Sequence, residues 1–398
     1  MSLGNDRAPR VLLTDGQERS VLAACRSLRR AGYLVDAAAS ERPAATHWSR
    51  SCGTRYMVAD TLASPQLFVE DLRRIVAADR HGALVIGSDQ SLFAVSRHRE
   101  RLEPLVALGL PPPDAVDRSL SNLALTEAGR DAGLPSPEIA ICTDRPEGLK
   151  AARRFGYPVL VKPSEAVFEL DAALRKPSTL LIDDERSLSE LPDDYGSPFL
   201  VQRCESGEVF SVGGVFASGR LVAHAASRYR RTWPPRAGNV AFSESVVLPG
   251  QLERAVPRFV GAIGWEGIFE LELIYRPGRG FLAIDFNPRV YGSLALAGSA
   301  GAPLAVTWCD RLLDREGSKG NARPGYRYRE EEGELKNLLW RLRRGRFASA
   351  LAMLWPRART THAHLRTTDP LPLLALAVGR ARRRARRKAA KAPGRAAS

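Results

Sequence analysis

The sequence predicts an α/β chain that opens on a parallel sheet and continues into a second, mixed α+β unit. Three observations carry that expectation. Short apolar runs alternate with amphipathic helical stretches over the first part of the chain. A Pro-rich break at Leu110-Pro111-Pro112-Pro113 ends that rhythm, and a long β-hairpin pattern between Gly267 and Ser293 closes a second one.

The first rhythm starts with an apolar strand at residues 11–13 that ends at Thr14-Asp15-Gly16. Val21, Leu22, Cys25 and Leu28 then recur at helical spacing over 18–31, and Gly32 leads into a strand at 33–37. A helix over 67–78 leads to a buried strand at 83–87. Strand, helix, strand in this order predicts a Rossmann-like parallel sheet over residues 1–115, although no GxGxxG follows the first strand and a dinucleotide fingerprint is absent.

In the second unit, residues 116–310, a helix is expected over 120–132, closed by Gly133 and Pro135. Pro158 to Pro163 (PVLVKP) reads as a loop flanked by two strands, and 198–202 (PFLVQ) as a strand with Gly207 beyond. From 311 to 368 the texture turns to Arg-rich amphipathic helix, notably over 334–352. A basic, partly helical tail follows over 369–398, either disordered or associated with a surface.

Composition narrows the function classes. The chain has 398 residues, 44% hydrophobic and 26% charged, which excludes disorder throughout and fibrous repeats and suits two or three domains. No apolar run approaches the roughly 18 residues of a membrane span, and the start lacks the apolar core of a signal peptide, so a cytoplasmic protein is expected. The five cysteines are widely spaced without a CxxC pair, which signals neither a disulfide framework nor a zinc site. His362 and His364 read as a solvated strand face.

The net charge of +15 is concentrated at one end. Nine basic residues and no acidic one lie between Arg380 and Arg395, which leaves +6 for the rest. The apolar run 371–378 precedes them. A solubilising tail is the first reading of 371–395, an anionic membrane surface the second and nucleic acid the third, since no aromatics interleave the charges.

The chemistry-bearing stretch is GIFELELIYRPGRGFLAIDFNPRVYGS, residues 267–293. If its strands pair so that residue numbers sum to 557, Glu272 faces Asp285, Glu270 faces Asn287, and all four point to one side while Phe269, Leu271, Leu273, Leu282, Ile284 and Phe286 take the other. Like charges placed opposite each other need a cation to compensate them. Hard oxygen donors of this kind suit Mg2+ held together with nucleotide phosphates.

At these residues the sequence resembles the ATP-grasp superfamily, through Glu272 and the run Asp285-Phe286-Asn287-Pro288-Arg289, with Asp in place of the usual Glu. The resemblance implies a two-lobed ATP-grasp domain. It implies that Glu272, Asp285 and Asn287 hold Mg2+ or Mn2+ against ATP, with Glu270 left undecided, and that Arg289, Arg228 and Arg231 steady the transferring phosphoryl group. Lys162 would contact phosphate and Gln202, Arg203 and Cys204 would hold adenine. Glu208 would take the ribose, and Lys176 or Arg175 would replace contacts of a glycine-rich flap that SEAVFELDAALRKPST does not contain. Ser121-Asn122 stands where the family often has an Asp-Lys pair.

The activity implied is an ATP- and Mg2+-dependent ligation, in which a small-molecule carboxylate becomes an acyl phosphate and an amine or thiol displaces phosphate. The alternative is a regulatory or membrane-recruited nucleotide-binding module with little catalysis.

Overall fold

The computed structural model describes residues 8–192, 195–317 and 320–391, with side chains to residue 382. Its first sheet has four parallel strands in the order Arg55–Met57, Leu34–Ala39, Arg10–Leu13, Ala83–Val85. Val11, Leu12 and Leu13 are fully buried, as a parallel strand covered on both faces requires. The helices Arg19–Arg30, Pro65–Asp79 and Asp89–Arg97 alternate with these strands.

Two helices, Pro113–Leu120 and Asn122–Ala132, lead out of this sheet where one was expected. Ser121 is extended between them and caps the second. The small lobe that follows is an antiparallel sheet ordered Ile139–Cys142, Phe199–Arg203, Val159–Pro163, Leu180–Ile182, with the helix Arg145–Phe155 packed against it. The expected loop at PVLVKP is therefore a strand. Val159, Val161 and Pro163 are buried, and its flanking prolines mark the strand ends rather than a turn.

Residues 168–175 form a hairpin, Phe168–Leu170 against Ala173–Arg175. Its turn places Asp171 and Ala172 at φ of 53° and 59°, a conformation usually given to glycine. A flap hairpin thus exists without a glycine.

The large sheet has seven strands, in the order Gly280–Asn287, Gly267–Arg276, Glu208–Ala217, Arg220–Trp233, Asn239–Val246, Arg327–Arg329, Thr360–His362, all antiparallel except the last pair. Phe269, Leu271, Leu273 and Phe286 pack with Phe259 of the helix Gly250–Ile263 in the main core. The last two strands lie beyond the expected boundary at 310, so the C-terminal extension completes this sheet rather than standing apart as helices.

The helix expected over 334–352 is two, Glu331–Arg343 and Phe347–Leu354, separated at Gly345 in the left-handed region. The start of the tail is ordered as a helix, Leu371–Lys391, which packs on Thr46–Trp48 through a side that buries Pro372, Ala375 and Gly379. Asp369 anchors it, accepting from Arg26 Nε at 2.9 Å, Ser49 Oγ at 2.6 Å and the Arg50 amide at 3.0 Å. The last residues of the basic tail, 392–398, lie outside the described residues.

Candidate functional site

The two strands of the closing hairpin pair Glu270 with Asn287 and Glu272 with Asp285. Beyond that point a bulge shifts the register, so that Leu273 meets Ala283 and Arg276 meets Gly280. The extra residue, Ile284, is released from the ladder, and its carbonyl accepts from Lys162 Nζ at 2.5 Å. At the bulge the small lobe's lysine meets the acidic hairpin.

Glu270 and Glu272 share one face. Tyr229 Oη donates to Glu272 at 2.6 Å and to Glu270 at 3.3 Å, and Ser293 Oγ donates to Glu270 at 3.1 Å. Burial, reinforced by neighbouring carboxylates, pushes Glu270 up to about 7 and Glu272 up to about 8. Lys162 is shifted the other way: burial lowers it, while Asp285 and Glu272 oppose the shift. Two carboxyls whose ionisation is held back by burial and by neighbouring carboxylates, with an exposed carboxylate and an amide opposite them, fit a hard divalent cation that would offset their charge.

Arg289 stands two residues beyond Asn287, whose Oδ1 accepts from its Nη2 at 2.9 Å. The other partner of Arg289 was not foreseen. Asp89 of the first domain accepts from Arg289 Nε at 2.5 Å and Nη2 at 3.2 Å, and from Lys176 Nζ at 2.7 Å. Burial alone would raise the Asp89 carboxyl, but Arg289 and Lys176 hold it well below the usual carboxylate range. A signal for Asp89 existed, since Ser88-Asp89 opens a helix beyond the carboxyl end of a parallel strand, where such sheets gather ligand contacts.

Of the expected nucleotide contacts, Gln202 is buried beside Lys162, Asn122, Leu271 and Asp285 in one cavity, and its Oε1 has no hydrogen-bond partner. Asn122 donates from Nδ2 to the Pro163 carbonyl at 2.9 Å, tying down the end of the Lys162 strand. Cys204 is half-buried and its thiol is pushed up by burial. Arg203 turns away, donating to Glu138 at 3.0 Å and lying over the Phe155 ring.

The remaining residues are placed differently from expectation. Arg228 donates to Glu208 at 3.2 Å, and strand alternation puts both on the face opposite Glu272, which pairs with Ser211, itself paired with Ser227. Arg231 is engaged by Glu334 of the C-terminal extension at 2.7 and 2.6 Å, and Arg230 by Glu244 at 3.1 Å. Of the three expected catalytic arginines, the structure brings Arg289 to the acidic face of the hairpin. Arg175 lies at the end of the flap hairpin.

A polar cavity of about 370 Å3 runs from Glu270, Glu272 and Asn287 to Gln17 and Arg19 of the first domain and to Glu330 and His364 of the extension. His364 is buried, with Nδ1 3.0 Å from Glu331, and His362 Nδ1 lies 3.8 Å from the same carboxylate, so the pair is not a solvated strand face. Glu331 is held at about 2, since burial is outweighed by His364 and by the backbone amides of His364 and Leu365.

No protein-family model matches the chain. In sequence it is 26% identical over 266 residues to the carbamoyl phosphate synthase large chain of Rubrobacter xylanophilus, a match covering 63% of this chain and 24% of that one. The chain spans about a quarter of the length of the curated relatives it matches. In structure it is similar to N5-carboxyaminoimidazole synthetase from Staphylococcus aureus, with a TM-score of 0.60 at 12% identity over 82% of this chain and 83% of that one. It is also similar to the biotin carboxylase domain of the Hydrogenobacter thermophilus 2-oxoglutarate carboxylase, solved with MgADP, ADP and bicarbonate, with a TM-score of 0.59 at 16% identity over 80% and 73%. The chain, a parallel sheet leading into two lobes that meet at an acidic hairpin, thus shares the fold of these ATP-grasp enzymes.

Proposed function

We propose that the chain is an ATP- and Mg2+-dependent ligase that activates a small-molecule carboxylate for attack by an amine. The observation that carries this reading is the meeting of Lys162, Glu272, Asp285, Asn287 and Arg289 at one cleft between the lobes. Mg2+, when bound, neutralises phosphate charge and polarises the reacting phosphoryl group. Glu272, Asp285 and Asn287 would hold it.

Lys162 would neutralise an α- or β-phosphate as a compact point charge. Gln202, with its free buried oxygen, and the backbone towards Cys204 would orient adenine. Glu208 would take the ribose only by giving up Arg228. Arg289 would stabilise charge on the transferring oxygens, held in position by Asp89 and Asn287. The polar cavity towards Arg19 and His364 is large enough for the carboxylate and amine. The complete acidic set argues against a nucleotide-binding module without catalysis, since such a module has no use for it.

The test is thermal stabilisation by ATP with and without Mg2+. A ligand at about 100 times its Kd adds about 2.7 kcal/mol. The native protein is expected to show a Mg2+-dependent shift that Asp285→Asn removes, and to release ADP with some member of a panel of carboxylates and amines. No shift in either protein would sink the reading.

A further inference from the structure

The helices Glu331–Arg343 and Phe347–Leu354 pack against each other on the C-terminal extension. Each buries one side: Glu334 and Asn337 on the first, Ala350 and Met353 on the second. At 100° per residue, Leu335, Leu339 and Leu342 form a stripe well over a third of a turn away from the buried side. On the second helix Phe347, Leu351, Leu354 and the following Trp355 form another. These seven side chains are exposed, with Phe347 61%, Leu351 65% and Trp355 74% accessible. Two exposed apolar stripes on adjoining helices are uncommon on a soluble face with no partner.

The charge around the stripes has one sign. Residues 335–359 carry seven Lys or Arg and no Asp or Glu. Among the described residues Arg341, Arg343, Arg344 and Arg346 have no carboxylate partner, and Arg344 and Arg346 lie over the Trp340 ring at 4.6 and 5.4 Å. The acidic residues of the first helix sit at its other end and are engaged: Glu331 with His364, Glu332 with Lys336, Glu334 with Arg231.

We propose that this two-helix face seats on an anionic phospholipid surface. Leucines, Phe347 and Trp355 would enter the boundary between headgroups and acyl chains, while the long arginines keep their heads among the phosphates. A second copy of the chain is disfavoured as the occupant, because pairing this face with itself would oppose seven cations to seven. The site differs from the apolar run 371–378, whose helix buries Pro372, Ala375 and Gly379 against the body. The proposal does not depend on the ligase reading.

The test is co-sedimentation of the full chain with vesicles of phosphatidylcholine alone and of phosphatidylcholine with 30% phosphatidylglycerol. The native protein is expected to pellet with the anionic vesicles and not the neutral ones, and to be released as salt rises towards 1 M, where the screening length is about 3 Å. The triple variant Phe347→Ser, Leu351→Ser, Trp355→Ser changes exposed side chains and keeps the whole basic tail. It is expected to bind at least about tenfold more weakly while its thermal midpoint is unchanged. A second readout is a blue shift of emission on adding anionic vesicles, reduced in Trp355→Phe. No binding by the native protein, or equal binding to both vesicle types, would overturn the proposal. So would a triple variant that binds as well as the native chain, which would assign binding to the tail. A dimer in solution that only the triple variant loses, without vesicle binding, would show that a second copy occupies the face.

Discussion

Glu270 and Glu272 lie two residues apart on one strand, so the pleat sends both to the same side, and burial there raises them to about 7 and about 8. Under the proposed metal site, protons and Mg2+ would compete for the Glu272 oxygens. Mg2+-dependent ATP binding should then strengthen as pH rises through about 8 and weaken on the acid side, which titration of Kd between pH 6 and 9 would detect; a flat profile would count against Glu272 as a ligand. Asp36 has the opposite sign. Burial opposes its ionisation, but His81, the Thr54 amide and Arg10 hold it at about 2, below its ordinary 3.8. Its stabilisation is full above the ordinary value and is lost as pH falls towards 2, amounting to about 2 kcal/mol. Asp36→Asn should remove that part of the acid dependence of unfolding. The carboxylate cluster was legible in the sequence because strand alternation and hairpin pairing are local rules. Asp89 and the Arg231–Glu334 pair were not, because their partners lie 200 and 103 residues away.

The flap hairpin shows how an element can form against local preference. Asp171 and Ala172 adopt positive φ, and the Leu174 amide donates to the Leu62 carbonyl at 2.7 Å, fastening the hairpin to the first domain. Ala172→Gly should relieve about 0.7 kcal/mol of backbone strain and slow hydrogen exchange at the Leu174 amide by about threefold. Unchanged or faster exchange would show that the domain contact, not the turn, sets the flap's stability. The missing glycine was read as a missing flap, since sequence preference cannot see a distant tether. The bulge at Ile284 was hidden for a related reason: alternation predicts the register of Glu270 and Glu272 but not an inserted residue further along the strand.

Across the whole molecule, Asp89 links three parts: the first domain that carries it, the strand region ending at Lys176, and the hairpin end at Arg289. Asp89→Ala leaves a largely buried arginine without its carboxylate. It should lower stability by about 3 kcal/mol and abolish ADP release, read from thermal unfolding and coupled turnover. Full stability in this variant would show that Arg289 has another resting partner. The C-terminal extension is joined to the body just as firmly, adding two strands to the large sheet and bringing Glu330 and His364 to the cavity.

By itself the sequence determined the parallel sheet, the closing hairpin and the carboxylates on one of its faces, because each depends on periodicity or spacing within a few tens of residues, and Glu272 with the run Asp285 to Arg289 carried the ATP-grasp likeness. Only the tertiary structure decided which arginine reaches the acidic face of the hairpin, that a carboxylate of the first domain positions it, and that the extension continues the sheet and leaves a basic apolar surface exposed. Those outcomes depend on which distant charged groups can satisfy one another once buried, and no local pattern encodes that pairing.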